Sequence, residues 1–183
     1  MKVILNLALA LAFAGNAAAY TTNLISNGSF EAGTNGWILS GGTSKYSLTN
    51  RAYQGTTAML VTNRVNFANA PQQDVTAQLA LATNGSTWVT LLAVQVSAPT
   101  QVRAWLAVVA DVSGTLVTNR FLLAERVVRV TNQWERLDGV RTTTWNGTLS
   151  NALFYTESGA KQEAPLSSPA FLCKGGRKLT GHG

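Results

Sequence analysis

The sequence has 183 residues, of which 46% are apolar and 12% charged, with a formal charge of +6, one Cys and one His. That composition excludes an internal disulfide, a metal centre built from His and Cys, and a chain long enough for a binding module joined to a full-sized hydrolase. The charge does not point to nucleic acid, because residues 20–160 hold nine basic and seven acidic side chains and much of the excess lies from Lys161 onward.

Met1-Lys2, the apolar run from Val3 to Ala14 and the small residues Ala17-Ala18-Ala19 read as an export leader cleaved after Ala19. A run of about a dozen apolar residues is shorter than the roughly 20 that cross a bilayer. The expectation is a secreted or periplasmic protein, without membrane or nucleic-acid partners, whose mature chain starts at Tyr20.

Three residues after that start comes Asn23-Leu24-Ile25-Ser26-Asn27-Gly28-Ser29-Phe30-Glu31, closed by Gly36-Trp37, which resembles the opening strand of a sugar-binding β-sandwich. Ala58 to Arg64, followed by Pro71 and Gln73-Asp74-Val75-Thr76, resembles a strand, cleft loop and return segment of the same kind of sandwich. Ser86 to Ser97 is apolar on nearly both faces, as expected of a strand covered on two sides. In Gln101 to Val112, Val102, Ala104, Leu106, Val108 and Ala110 share one apolar face, while Arg103, Trp105, Ala107, Val109 and Asp111 share the other.

Thr115 to Thr118, Phe121 to Val130, Trp134 to Arg141 and Ala152 to Glu157 complete the strands, with breaks at Ser113-Gly114, Asn132 and Asn146-Gly147. No segment carries a capped helical stripe. So many short strands with turns at this spacing predict an all-β antiparallel sandwich, a jelly roll, over residues 20–160. Residues 161–183 read as an irregular basic tail, with truncation or a frame shift near residue 160 as one explanation.

Catalytic chemistry finds little support. The lone Cys173 and His182 lie in the tail, and no two of the seven carboxylates sit in a recognisable acid and nucleophile motif. Gly41-Gly42 and Gly175-Gly176 lack the spacing and the Lys-Ser/Thr partner of a phosphate-binding loop. The rings are more informative: Trp105 shares a face with Arg103 and Asp111, either as a ligand platform or packed beneath a loop. Tyr155 and Glu157 share one face of the late strand, with Phe154 on the buried side. Trp37, Trp88 and Trp134 read as core, and Trp145 as a turn residue, exposed or tucked over the sandwich edge.

The opening motif, Asn63-Arg64 followed by Pro71 and Gln73-Asp74-Val75-Thr76, the pair Trp134 and Leu137, and Phe154-Tyr155-Thr156-Glu157 together resemble the carbohydrate-binding modules of the group holding families 4, 9 and 22. These are galactose-binding-like, CenC-like accessory modules of xylanases and cellulases. The resemblance spans residues 23 to 159. It implies a non-catalytic module that recognises a polysaccharide of the xylan or β-glucan class, tethered to or co-secreted with a glycoside hydrolase.

It also implies that Glu157, in the Y-x-E context, bonds sugar hydroxyls, and that a structural Ca²⁺ is held by Glu31 and backbone carbonyls. The faces of the strands add Trp105, Tyr155 and Arg103 to the candidate carbohydrate site, and Phe67, Asn69 and Gln73 stand where a reduced version of the family's cleft subsite would be. Phe67 is equally compatible with the core. Two departures bear on xylan: relatives carry Trp-Asn-Gly where this chain has Ala68-Asn69-Ala70, and an Arg where it has Ser40. The family's last apolar strand, with its Asp-Asp pair, is not recognisable. A fragment of a longer glycoside hydrolase and a structural or adhesive sandwich of the cell surface stay open.

Overall fold

The computed structural model describes residues 23–40, 45–64, 67, 69–159 and 171–174. The leader and most of the tail lie outside the described residues. Two five-stranded sheets face each other, and every strand pair is antiparallel. The first sheet is built from β1 (Ile38–Leu39), β4 (Pro71–Asp74), β9 (Thr148–Ser158), β6 (Thr100–Val112) and β7 (Thr115–Val128), in that order. The second runs β2 (Lys45–Thr49), β3 (Ala58–Thr62), β10 (Phe171–Lys174), β5 (Thr87–Val96) and β8 (Trp134–Thr142).

The all-β sandwich read from the alternation is therefore the fold observed. Period-2 alternation sends Leu92, Val94 and Val96 of β5, Leu106 and Val108 of β6 and Phe154 of β9 into the gap between the sheets, where all are buried. Phe30, Trp37 and Phe154 form an aromatic corner, with Phe30–Trp37 centroids 5.2 Å apart and Trp37 meeting Phe154 edge-on at 6.1 Å.

Several elements differ from the sequence reading. The opening motif is a chain of turns rather than a strand. Asn27, in the left-handed region at φ 47°, ties the knot: its Nδ2 donates to the Gly33 and Asn35 carbonyls, and its Oδ1 accepts from Ala32 N. Asparagine tolerates that conformation because its short amide bonds its own backbone neighbourhood. The motif thus delivers a buried Phe30 to the core without pairing in a ladder.

A five-residue helix, α1 (Thr76–Ala80), follows β4 where no helix was expected; it is too short to display a stripe, and it contributes only Leu79 to the buried set. The strands expected at 115–118 and 121–130 are one continuous strand, β7, paired with β6 along its length across a register shift at Ala104/Trp105.

The tail is corrected in part. Phe171–Lys174, assigned to an irregular segment that includes Cys173, pairs on both sides, with Phe171 opposite both Val61 of β3 and Val96 of β5. Four residues show too little alternation to be read as a strand; ladder hydrogen bonds to two waiting neighbours supply what propensity does not.

Trp134 is the other correction. It lies on the outward face of β8 opposite Gln95, partly exposed, with its ring 6.0 Å from that of Tyr53, because Leu137 and its partner Leu92 already take the inward positions. Trp37 and Trp88 are buried as expected, and Trp145 is tucked in, its backbone N–H and carbonyl both bonded to the Asn84 amide.

Candidate functional site

The outer face of the first sheet carries the side chains that alternation sends away from the core. One transverse row crosses all five strands: Ile38 opposite Gln72, Gln72 opposite Tyr155, Tyr155 opposite Trp105 and Trp105 opposite Leu122. Directly opposed residues of antiparallel strands point to the same side, so one register sets two rings among three other side chains. Ile38 at the end of the row is 53% exposed.

The rings of Trp105 and Tyr155 are nearly parallel, 14° apart in plane with centroids 6.5 Å apart. That gap leaves no slot between them for a pyranose, which needs about 4 Å of contact distance on each face. A flat ligand ring can therefore cover the pair but cannot enter between its members. Trp105 Nε1 donates to Glu157 Oε2 at 2.9 Å, which fixes the indole. Glu157 Oε1 accepts no hydrogen bond from the described residues and retains acceptor capacity. Burial pushes the Tyr155 phenol up, the Glu157 charge adds to that shift, and Arg120 opposes it. Tyr155 is therefore a neutral hydroxyl, donor and acceptor, at physiological pH.

Arg103 lies opposite Glu157 on β9 and Glu125 on β7, and its Nε binds Glu125 Oε2 at 2.5 Å. Both partners are about two-fifths exposed, so the pair orients more than it stabilises.

The loop after β3 is cinched to the Glu157 end of β9 by a residue the sequence reading left out of the site. Arg64 is buried; its Nε donates to the Asn69 carbonyl at 2.5 Å, its Nη2 to the Phe67 carbonyl at 2.8 Å, and its Nη1 to Ser158 Oγ. Burial lowers its pKa to about 10, with the Glu157 charge acting the other way, so it stays cationic at neutral pH. The signal available in the sequence was the Asn-Arg pair beside the loop, which names a position but not a buried brace.

Of the seven expected site residues, Trp105, Tyr155, Glu157 and Arg103 share the outer face. Phe67 is on the loop held by Arg64 and is 47% exposed, which removes it from the core. Asn69 and Gln73 do not join them. Asn69 is 4% exposed, its Nδ2 donating to the Ser40 carbonyl. Gln73 is 1% exposed on the inward face of β4; its Oε1 accepts from Ser26 N at 2.8 Å and its Nε2 donates to Ser26 O at 2.9 Å. A buried amide with both ends bonded to backbone is a fastener for the opening turns, and this corrects its assignment to the ligand face. Ser40, where relatives carry Arg, is bonded to the same loop through Ala70.

Glu31 is likewise committed. Its Oε1 accepts from the backbone N–H groups of Thr56 and Thr57 and its Oε2 from Thr56 Oγ1, and these bonds lower its pKa to about 2. A calcium ion takes 6–8 oxygens, usually from several carboxylates. Among the described residues no group of three or more His, Cys, Asp or Glu could share an ion, and both Glu31 oxygens already accept hydrogen bonds from Thr56 and Thr57.

The family model for a carbohydrate binding domain matches residues 22–168. A search of the curated proteins finds no match. Among solved structures, the CBM22-1 xylan-binding domain of Paenibacillus barcinonensis Xyn10C superposes with a TM-score of 0.65 at 25% identity, covering 89% of this chain and 97% of that one. The C-terminal family 22 module of Clostridium thermocellum Xyn10B gives 0.64 at 19% identity, with 89% and 95% covered. The CBM22-1 and GH10 modules of C. thermocellum Xyn10B, complexed with xylohexaose, give 0.63 at 12% identity over 90% of this chain and 28% of that longer one.

Proposed function

The chain belongs to the carbohydrate binding domain family, whose members bind glycans without catalysing a reaction, and from that membership we propose that it is a secreted module recognising a polysaccharide of the xylan class. The observation that carries the reading is the ring pair Trp105–Tyr155 on the outer face, with Glu157 bonded to the indole and an open carboxylate oxygen beside it. Flat apolar rings cover the faces of pyranose units, while the carboxylate and phenol catch hydroxyls. The Paenibacillus xylan-binding domain supports xylan over other glycans. The longer Clostridium chain, in which a family 22 module precedes a GH10 module, supports service to a glycoside hydrolase.

Two rings each shielding about 100 Å² of sugar give about 5 kcal/mol at roughly 25 cal/mol per Å², before the cost of association. Net affinity then falls near the millimolar end, useful when tethering raises the local concentration of sites. The leader supports export, and N-terminal sequencing of the exported protein is expected to begin at Tyr20. Affinity electrophoresis against soluble xylan, mixed-linkage β-glucan and mannan tests the binding claim: retardation by xylan is expected, and a folded sample retarded by none of the three overturns it.

A further inference from the structure

The charged groups on the outer face of the first sheet are nearly all committed to one another. Arg103 binds Glu125. Glu157 accepts from Trp105 through one of its oxygens. Asp74 Oδ1 accepts from Thr76 N at 2.9 Å and Thr76 Oγ1 at 2.6 Å, and Asp111 Oδ1 accepts from Gly114 N at 2.7 Å.

Arg120 is different. It stands on β7 opposite Ala107, one row from the Trp105–Leu122 pair and on the same side of the sheet, hence a diagonal neighbour of Trp105. It is exposed, and among the described residues no carboxylate lies within ion-pair distance of it. Its positive charge nevertheless reaches the Tyr155 phenol, whose ionisation it favours. An unneutralised guanidinium therefore sits beside the two-ring platform, with an alanine methyl across the ladder.

We propose that Arg120 recognises a carboxylate on the glycan, so that this face selects xylan chains bearing uronic-acid side groups. The inference rests on the polysaccharide-binding reading above. The Ala107–Arg120 row adjoins the Trp105–Leu122 row on the same face, so a substituent projecting toward it from a main chain over Trp105 and Tyr155 comes within reach of Arg120. Neutral hydroxyls gain one ordinary hydrogen bond there. A carboxylate, ionised at neutral pH, meets a planar fork of donors that matches it in charge and geometry. The site is solvent-exposed, so the preference is a factor of about two to five rather than orders of magnitude.

The test is calorimetric titration of the folded protein with a soluble uronic-acid-substituted xylan and with the same polymer after its carboxyls are reduced to alcohols. Titrations are run at low salt and at about 0.5 M, where the Debye length shrinks to a few ångströms. The expected result is about two- to fivefold tighter binding of the acidic polymer at low salt, fading at high salt. Arg120→Gln brings the two polymers to parity, and Arg120→Lys keeps part of the preference. Arg141→Gln, the same charge change on β8 of the opposite sheet, leaves it intact. Equal wild-type affinities, a preference that survives in Arg120→Gln, or one that Arg141→Gln erodes equally overturns the assignment to Arg120. Binding of the reduced polymer with no acidic preference sinks this inference alone, whereas no binding to either polymer removes the polysaccharide reading as well.

Discussion

Trp105 and Glu157 lie 52 positions apart in the chain and meet through a 2.9 Å hydrogen bond from indole Nε1 to carboxylate Oε2. The antiparallel register of β6 and β9 sets Trp105 against Tyr155 and Arg103 against Glu157, so the indole and the carboxylate are diagonal neighbours on one face. The bond holds a partly exposed ring in one orientation before a ligand arrives, which reduces the ordering cost of binding.

Trp105→Ala is expected to weaken the proposed xylan binding roughly ten- to a hundredfold, since a ring covering about 100 Å² contributes about 2.5 kcal/mol. The circular-dichroism melt should move little, because the indole is outside the core. An affinity loss that tracks a collapse of the melt would mean the ring is structural.

Glu157→Gln keeps an acceptor for the indole but removes the charge that helps raise the Tyr155 phenol. The phenol is expected to titrate at lower pH in the variant, read by ultraviolet absorbance at the tyrosinate band. An unchanged Tyr155 titration would show that burial alone sets it.

Gln73→Ala leaves the Ser26 N–H and carbonyl without their partner in a partly buried site. Each such orphaned group costs about 1–3 kcal/mol, so a loss of roughly 2 kcal/mol or more is expected in urea unfolding. Affinity per folded molecule should be unchanged; a selective loss of binding at full stability would return Gln73 to the ligand face.

Glu31 couples stability to acid. Its folded pKa of about 2 lies below the ordinary 4.5, so its contribution is complete above about pH 4.5 and is lost as pH falls toward 2. Wild-type melting temperature should drop through that window, and the drop should be shallower in Glu31→Gln. A chelator is expected to leave the melt at neutral pH unchanged; a fall on chelation would place a cation at Glu31 after all.

Gly139→Ala drives a Cβ into the Leu123 carbonyl oxygen, where β8 runs against β7. Backbone on both sides cannot yield, and the variant is expected to lose the native fold or several kcal/mol of it. Gly114→Ala is the comparison: its φ is +84° but nothing lies within 4 Å, so only about 1–2 kcal/mol of left-handed strain is expected. Similar melts for the two would contradict the close packing of β7 on β8.

The sequence alone determined the strands whose alternation is strong, and with them the inward Phe154 and the outward Trp105, Tyr155 and Glu157. Alternation is local: it follows from the pleat of each strand and needs no knowledge of its neighbours. What it could not determine is what lies opposite. Gln73 and Tyr155 are both amphipathic residues on strands, yet the β4–β9 register sets Gln73 opposite the inward Phe154, where Ser26, 47 positions away, satisfies its amide. Arg64 read as the end of a strand and part of the Asn-Arg pair, and only the structure shows three acceptors from the loop and from β9 closed around it. Phe171–Lys174 became a strand only between β3 and β5, and the Asn27 turns displaced a strand that the motif had promised. For Gln73, for the Ser158 bond of Arg64 and for Phe171–Lys174 the deciding term was a hydrogen bond or a register partner distant in the chain, which only tertiary structure supplies, whereas the Asn27 turns close on bonds within eight positions.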